Sequence, residues 1–263
     1  MIATFKYLGQ IIFLLLLNPA GLADSNTIEP EKEAGKQREY RILTYNVRNC
    51  RGLDNLTDYM RVAEIIKRIN PDIVALQELD SATQRSNGIV VLNELASETK
   101  MHASYSASIA FQGGKYGVGI LSAKKPIGIK TVALPGREER RSLLIAEFDD
   151  FIFCCTHLSL NEEDRLESAR IINSLFDNAV KPVILGGDLN AVPESSPIKA
   201  LESKWTVLNN TLVPTIPADN PRRCIDYILA RKSNHRIVVK ESMVEKEPLA
   251  SDHLPVWVRI KIK

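Results

Sequence analysis

Short strand-like segments alternate with amphipathic helical segments along most of this chain, and the strands outnumber the helices. Residues 40–46 are rich in β-branched and aromatic side chains, and residues 72–77 are almost entirely apolar, which is typical of a strand covered on both faces. Residues 62–69 and 162–179 carry apolar side chains at helical spacing. Turns as tight as Asp149-Asp150 join several strand pairs. The pattern predicts an α/β protein with mixed or antiparallel sheets and not a doubly wound parallel sheet.

The first segment has the layout of a secretory signal peptide. Lys6 is its only charged side chain, a short apolar run covers residues 11–17, and Gly21 and Ala23 place small side chains at the positions that a signal peptidase reads. We predict cleavage after Ala23 and export of the mature chain, to the periplasm or outside the cell. The apolar run is too short to span a bilayer comfortably, so no stable membrane span is expected after cleavage. An uncleaved N-terminal anchor is the alternative.

The predicted domain organisation is simple. Residues 1–23 form the signal peptide, residues 24–38 are polar and form a flexible leader, and residues 39–263 form one domain. We expect this domain to be monomeric. An exported protein can form disulfides, and the sequence leaves three full pairings open for its four cysteines, which are Cys50, Cys154, Cys155 and Cys224. For the adjacent Cys154 and Cys155, buried free thiols are the alternative.

The charge balance neither demands nor excludes a polyanionic substrate. The whole chain has 34 basic and 32 acidic residues and a pI of 8.3. Loss of Lys6 with the signal peptide leaves 34 − 1 = 33 basic residues, one more than the acidic residues. Strong nucleic-acid binders usually have a domain pI above about 9. Nucleic acid therefore stays open as a partner, although no basic stripe along the sequence singles it out.

Polar side chains recur where the predicted strands end or begin. They are Asn46, Glu78, His157, Asp188, Asn190, Asp226, Asp252 and His253. Loops at the ends of strands are where sites are commonly built on a rigid sheet, so we expect these side chains to converge. Each residue taken singly is equally well explained as a turn, a cap or a solvated side chain, so the prediction depends on the whole set.

The residue types suit one kind of chemistry. Carboxylate and amide oxygens such as those of Glu78, Asp252 and Asn46 are the ligands that a hard divalent cation prefers. A carboxylate such as Asp188 can orient or deprotonate an attacking water. A histidine can donate to a phosphoryl or leaving oxygen when a carboxylate, here Asp226, sets the position of its proton. The set therefore predicts metal-dependent hydrolysis of a phosphate ester.

Seven short segments, taken in order, are more specific than any one residue. They are LTYNVR (43–48), DIVALQELD (72–80), KYGVGILS (115–122), THL (156–158), GGDLN (186–190), IDYIL (225–229) and SDHLPV (251–256). This set resembles the endonuclease/exonuclease/phosphatase family, which includes deoxyribonuclease I, exonuclease III, inositol-polyphosphate 5-phosphatases and secreted sphingomyelinases. The resemblance extends over nearly all of residues 39–263. It implies a four-layer α/β sandwich, in which two packed mixed β-sheets lie between outer helices.

The resemblance also implies Mg²⁺ or Mn²⁺ as cofactor and in-line attack of water on a phosphodiester or phosphomonoester. The implied metal-side residues are Asn46, Glu78 and Asp252. The implied catalytic residues are His157, Asp188, Asn190, Asp226 and His253, with Asp188 on the water and Asp226 behind His253. The implied contacts to the substrate phosphate are Tyr116, Arg141 and Asn190. No position among these holds an inert residue.

Several alternatives stay open at this stage. The family motifs specify the phosphate and little else, so DNA, RNA, a phospholipid, an inositol phosphate or a small ester would each fit. One metal ion or two, and Asp188 or His253 as the group that takes the proton, are equally open. A non-catalytic phosphate-binding module that keeps the fold is the rival from another class. A secreted zinc hydrolase is disfavoured because the sequence lacks HExxH and any His-rich cluster.

Overall fold

Twelve strands and four helices make up residues 38–263, the part of the chain that the computed structural model describes. The predicted signal peptide at 1–23 and the predicted leader up to residue 37 lie outside the described residues. Arg38, the first described residue, pairs with Ile262 in the first sheet.

The strands, in chain order, are β1 (Arg38–Asn46), β2 (Ile73–Ser81), β3 (His102–Phe111), β4 (Gly114–Ser122), β5 (Gly128–Leu134), β6 (Arg141–Glu147), β7 (Ile152–His157), β8 (Val183–Asp188), β9 (Trp205–Val207), β10 (Asp226–Arg231), β11 (Ile237–Val244) and β12 (Val256–Ile262). The helices are α1 (Tyr59–Ile69), α2 (Val91–Thr99), α3 (Glu162–Leu175) and α4 (Ser196–Glu202). A 3₁₀ turn, Arg48–Cys50, follows β1 directly.

These strands form two six-stranded sheets. The first sheet has the order β11-β12-β1-β2-β4-β3, and the second has the order β5-β6-β7-β8-β10-β9. The pairs β1–β2 and β7–β8 are parallel, and the other neighbours are antiparallel. Both sheets are therefore mixed, as the sequence predicts.

Three apolar cores separate four layers. Side chains such as Ile42 and Ile120 of the first sheet pack against Phe153 and Ile184 of the second and fill the space between the sheets. Helices α1 and α2 cover the outer face of the first sheet, and α3 and α4 cover the outer face of the second. The predicted four-layer sandwich is confirmed.

Two predicted boundaries are wrong. The sequence places the end of a helix at residue 179, but α3 ends at Leu175, and the ring of Phe176 packs edge-on against Trp205 at 5.9 Å. The predicted strand 72–77 continues to Ser81 through an irregularity at Glu78, so Glu78 lies inside β2 and not after it. The start of α3 is as predicted, because the side chain of Asn161 accepts hydrogen bonds from the backbone of Glu163 and Asp164.

All four cysteines are buried and have free thiols, so no disulfide links the described residues. Among residues 38–263, no helix is both long and apolar enough to cross a membrane.

The close approach of neighbouring strands makes Gly187 a point of limited tolerance. A Cβ atom at Gly187 would lie 2.3 Å from the carbonyl oxygen of Thr156 on the adjacent strand β7. We expect Gly187→Ala to lower the free energy of unfolding by about 2 kcal/mol, because backbone cannot move aside as a flexible side chain can. Urea unfolding followed by circular dichroism measures the change. Gly128→Ala is the matched control, because its nearest neighbouring atom would be 3.8 Å away; equal stability losses in the two variants would contradict this account.

Candidate active site

Alternation along the strands brings polar residues of both sheets to one end of the space between them. In β1, Ile42 faces the inter-sheet core and Leu43 faces the helices, so Asn46 faces inward. In the second sheet, His157 pairs with Asp188 and Asp226 pairs with Asp188 in register. These residues are the inward-facing ends of their strands, and all are buried.

A β-bulge turns Glu78 into the same space. Regular alternation would point Glu78 toward the helices, on the side where Leu76 packs. The register of β2 against β4 shifts between Leu76 and Leu79, and both of these leucines lie in the helix-side core. Glu78 occupies the extra position with a φ of +62°, a left-handed conformation that non-glycine residues adopt rarely. The bulge therefore re-aims one carboxylate from the outer face to the inner one.

The carboxamide of Asn46 joins the two sheets at this point. Its Nδ2 donates to Glu78 Oε1 at 2.9 Å in the first sheet and to Asp188 Oδ2 at 3.0 Å in the second. Its Oδ1 accepts from the backbone of Arg48 at 3.1 Å. Both amide hydrogens and the amide oxygen are thus engaged, which fixes the orientation of a fully buried side chain.

His253 is held between two carboxylates. Its Nδ1 lies 2.9 Å from Asp226 Oδ2, and its Nε2 lies 3.6 Å from Asp188 Oδ2. The hydroxyl of Thr215 donates to Asp226 Oδ2 at 2.5 Å and accepts from the backbone of Ile225 at 3.2 Å. Burial alone would lower the pKa of His253, but the charges of Asp226 and Asp188 outweigh it and raise that pKa to about 10.

His157 has the opposite electrostatic environment. Burial is the largest effect and lowers its pKa to about 4, although the charge of Asp188 opposes the shift. Asn190 Nδ2 donates to the carbonyl of Leu158 at 2.9 Å and lies 3.0 Å from His157 Nε2. Because that carbonyl fixes the amide orientation, the second hydrogen of Nδ2 points at a ring nitrogen that accepts it. The geometry therefore describes a neutral imidazole protonated on Nδ1.

Asp188 is the meeting point of these groups. Its Oδ1 accepts from the backbone of Asn190 at 2.9 Å, and its Oδ2 lies 3.4 Å from His157 Nε2. Burial raises the pKa of Asp188, and the two histidines oppose that shift. Asn190 itself has a φ of +48°, so a left-handed turn carries the chain away from the site directly after β8.

Asp252 lies at the exposed edge of the group. Ser251 Oγ donates to the backbone carbonyl of Asn46 at 2.7 Å and lies 3.3 Å from Asp252 Oδ1. The Asp252 side chain is 37% exposed, and its Oδ2 lies 3.9 Å from Arg48 Nε. The structure thus ties the loop before β12 to the end of β1.

The two predicted phosphate contacts differ in their surroundings. Tyr116 lies in β4 opposite Asp80, and burial, followed by the charge of Glu78, raises the pKa of its hydroxyl. Arg141 is buried, with its guanidinium 3.1 Å from Glu138 and 3.3 Å from Glu139. Arg141 therefore begins as a doubly ion-paired group and not as a free cation at the site.

Sequence reasoning missed two residues that hold this arrangement. Thr215 anchors Asp226, and Ser251 anchors the loop that carries Asp252 and His253. The segment SDHLPV contains Ser251 but assigns it no role in the site. The motifs carry no indication of Thr215, because its partner lies eleven residues away across a loop.

The oxygen donors fit a hard divalent cation. Glu78 and Asp252 are partly exposed carboxylates; Glu78 accepts from the amide of Asn46, and Asp252 is joined to the backbone of Asn46 through Ser251. Carboxylate oxygens that keep contact with solvent are what Mg²⁺ and Mn²⁺ prefer. A second group, Asp188, Asp226 and His253, is fully buried, and its ligand atoms lie within 4.8 Å of one another. In that second group, each residue is already engaged in the hydrogen bonds described above.

The family model described as "Endonuclease/Exonuclease/phosphatase family" matches residues 43–253, which span every site residue named above. The chain belongs to this family. Members are hydrolases that act on phosphoester bonds and generally depend on a divalent metal. The resemblance drawn from the seven segments is confirmed, and so is the class of phosphoric ester hydrolase. None of the curated proteins matches this chain in sequence.

Solved structures of the endonuclease/exonuclease/phosphatase family share the fold. A family member from Beutenbergia cavernae superposes with a TM-score of 0.71 at 23% identity, over 86% of this chain and 72% of the other. The human Nocturnin catalytic domain gives 0.67 at 18% identity, over 86% and 98%. The mannosyl-6-phosphatase of Bacteroides thetaiotaomicron gives 0.65 at 18% identity, over 84% and 99%.

The buried neutral state of His157 gives stability a pH dependence. Because its folded pKa of about 4 is below the ordinary 6.5, the unfolded chain binds this proton first. We expect the wild type to lose stability as the pH falls from about 6.5 toward about 4. His157→Gln removes the titrating imidazole. The difference in the free energy of unfolding between wild type and variant should therefore change between about pH 6.5 and about pH 4. Denaturant unfolding at several pH values measures it, and a constant difference would show that His157 titrates normally.

Proposed function

We propose that this protein is an exported hydrolase of a phosphodiester or phosphomonoester that requires Mg²⁺ or Mn²⁺ and acts by in-line attack of water. Membership of the family supports the reaction class. The observation that carries the finer proposal is the contact of Asp188 with groups from both sheets, because one carboxylate lies beside Asn46, His157 and His253.

Asp188 is the residue we assign to the attacking water. Its Oδ1 is fixed by the backbone of Asn190, which leaves Oδ2 to orient a water or to accept its proton. Asn46 and the two imidazoles surround that oxygen at 3.0 to 3.6 Å. A phosphoryl group placed against Asp188 would therefore meet a donor in the Nε2 of His253, which lies on the same side of that carboxylate.

His253 and Asn190 are the groups we assign to the developing charge. Asp226 orients the imidazole of His253 through Nδ1, so Nε2 faces the same space as Asp188. The amide of Asn190 is fixed by Leu158 and presents its nitrogen beside His157. Donors held in advance of the reaction stabilise a charged transition state without reorganising. Tyr116, next to Glu78, is a further contact to the phosphate under this proposal.

Glu78, Asn46 and Asp252 are the residues that would hold the cation. The Oδ1 of Asn46 and the exposed edges of the two carboxylates supply oxygen ligands. A divalent ion there supplies Lewis-acid stabilisation of the phosphoryl and leaving oxygens. Its positive charge would also offset the concentration of carboxylates in the site. Arg141 remains a candidate phosphate contact only if its pairing with Glu138 and Glu139 rearranges.

The proposal extends to location and partner. The layout of residues 1–23 supports export of a monomer without a stable membrane span after cleavage. The substrate class stays broad, because one similar structure is a mannosyl-6-phosphatase and another is the Nocturnin catalytic domain with bound sulfate. The phosphatase supports a small phosphate ester as a candidate substrate, and the charge balance of the chain leaves nucleic acid open.

Replacement of Asp188 tests the chemistry. We expect the wild type to hydrolyse bis-p-nitrophenyl phosphate with Mg²⁺ or Mn²⁺ and to stop when EDTA is added. Asp188→Asn keeps the shape but loses the negative charge, so kcat should fall about a thousandfold or more. The absorbance of released p-nitrophenol at 405 nm, followed for a time on the order of hours, measures this fall in kcat.

Asp177→Asn is the matched control, because Asp177 forms surface ion pairs with Lys204 and Arg231 and lies outside the site. It should keep the wild-type rate. Metal binding without turnover of this compound, or of DNA, RNA, lipid and sugar phosphates, would instead favour the non-catalytic phosphate-binding module.

A further inference from the structure

An open groove lies beside the proposed catalytic site. It has a volume of about 650 Å³ and runs between the hairpin of β3 and β4 and the loop that connects β5 to β6. The hairpin contributes residues 107–110 and Lys115, and the loop contributes residues 136–140. Apart from Lys115, the side chains of the hairpin wall are small or aliphatic, and most of those on the loop wall are charged.

The groove shares both of its walls with the site. On the hairpin wall, Ile109 pairs with Tyr116, whose hydroxyl lies close enough to Glu78 for the carboxylate to raise its pKa. On the other wall, Glu139 pairs with Arg141, and the charge of Arg141 acts on the pKa of His157. A substrate that places its scissile phosphate at Asp188 therefore has this groove as a path for the rest of the molecule.

The loop wall is rigid. Glu138 accepts hydrogen bonds from the backbone of Leu160 at 2.8 Å and from Ser159 Oγ at 2.8 Å. A Cβ atom at Gly136 would lie 1.8 Å from the carbonyl oxygen of Glu139, so the loop closes tightly on itself. Across the groove, Ser108 Oγ lies 3.0 Å from Ser142 Oγ and ties the hairpin to β6. The groove is thus formed before any ligand binds.

Most charged side chains of the groove already have partners. Arg137 pairs with Glu163 at 2.8 Å and with Asp164 at 3.0 Å. Glu138 and Glu139 both pair with Arg141. Lys115 and Arg140 are exposed, and neither forms an ion pair with an acidic side chain in residues 38–263. The two charges left uncommitted in this groove are therefore both positive.

We propose that this groove is a second anion subsite, in which Lys115 and Arg140 bind a further phosphate of the same substrate. The inference rests on the proposed function for the position of the scissile phosphate. It narrows the substrate class to phosphate esters that carry a second phosphate, as an oligonucleotide or a sugar bisphosphate does. Lys115 and Arg140 act here as specificity-determining residues and take no part in the chemical step.

The test compares two substrates that differ by one phosphate. Thymidine 5′-(p-nitrophenyl phosphate) has the scissile phosphate alone, and its 3′-phosphorylated form adds a second one. We expect the wild type to prefer the 3′-phosphorylated compound about tenfold in kcat/KM, as two exposed charge-assisted contacts would give. The Lys115→Ala/Arg140→Ala variant should lose that preference and keep the wild-type rate on the other compound. Added salt should weaken the preference in the wild type only.

The matched control removes two exposed positive charges elsewhere. Lys130→Ala/Arg236→Ala changes the net charge equally but lies outside the groove, so it should keep the preference. Equal use of both compounds by the wild type, or loss of preference in the control variant as well, would overturn the proposal. Hydrolysis rates on tetrathymidylate and on glucose 1,6-bisphosphate then distinguish an oligonucleotide from a sugar bisphosphate as the source of the second phosphate. The groove variant should hydrolyse more slowly only the compound whose second phosphate binds in the groove.

The groove can also be tested by binding alone, so failure of the proposed subsite and failure of the proposed hydrolysis are distinguishable. If neither nitrophenyl compound is hydrolysed, calorimetric titration with thymidine 3′,5′-bisphosphate and with thymidine 5′-monophosphate in Ca²⁺ still tests the groove. About tenfold tighter binding of the bisphosphate by the wild type, lost in the groove variant, would support the subsite and reject only the hydrolysis. Equal binding of the two nucleotides, or no binding of either, would reject the subsite too.

Discussion

One buried carboxamide connects the two halves of this molecule at its functional end. Asn46 in the first sheet donates both of its amide hydrogens, one to Glu78 in its own sheet and one to Asp188 in the other. Two carboxylates that approach each other in a buried space repel, and a shared donor reduces that cost only partly. The remaining negative charge is what makes a divalent cation a fitting partner for this site.

The geometry around Asn46 follows from strand periodicity and one irregularity. Asn46, His157, Asp188 and Asp226 all lie on the faces whose earlier positions fill the core between the sheets. Glu78 does not follow that alternation, and a bulge in β2 turns it inward. The same packing that excludes water from the core thus delivers polar groups to its rim. Burial lowers the pKa of His157 there, whereas the charges of Asp226 and Asp188 outweigh burial and raise the pKa of His253.

Much of the fold was predictable because the central strands carry strong apolar patterns. Strands β3, β5 and β9 were not predicted, because they are edge strands, where a half-exposed surface weakens the alternation. Most of the proposed site residues were recognisable as a set, since they stand in the seven short segments at or near the ends of strands. The left-handed conformation of Glu78 and the bond from Thr215 to Asp226 depend on tertiary contacts, so no local pattern announces them. The pairing of Arg141 with Glu138 and Glu139 is local, because these glutamates lie three and two residues before it, but the family segments carry no indication of it.

The central claim is that residues of both sheets share one divalent-ion pocket. Paramagnetic Mn²⁺ tests this directly, because it broadens NMR resonances of nearby nuclei. The chain has four histidines, and their imidazole resonances can be followed during a titration with Mn²⁺. We expect His157 and His253 to broaden first and together, and His102 and His235, which lie outside the site, to keep sharp signals. The shared pocket would be contradicted if the resonances of His102 or His235 broadened before those of His157 and His253. It would also be contradicted if no histidine resonance broadened.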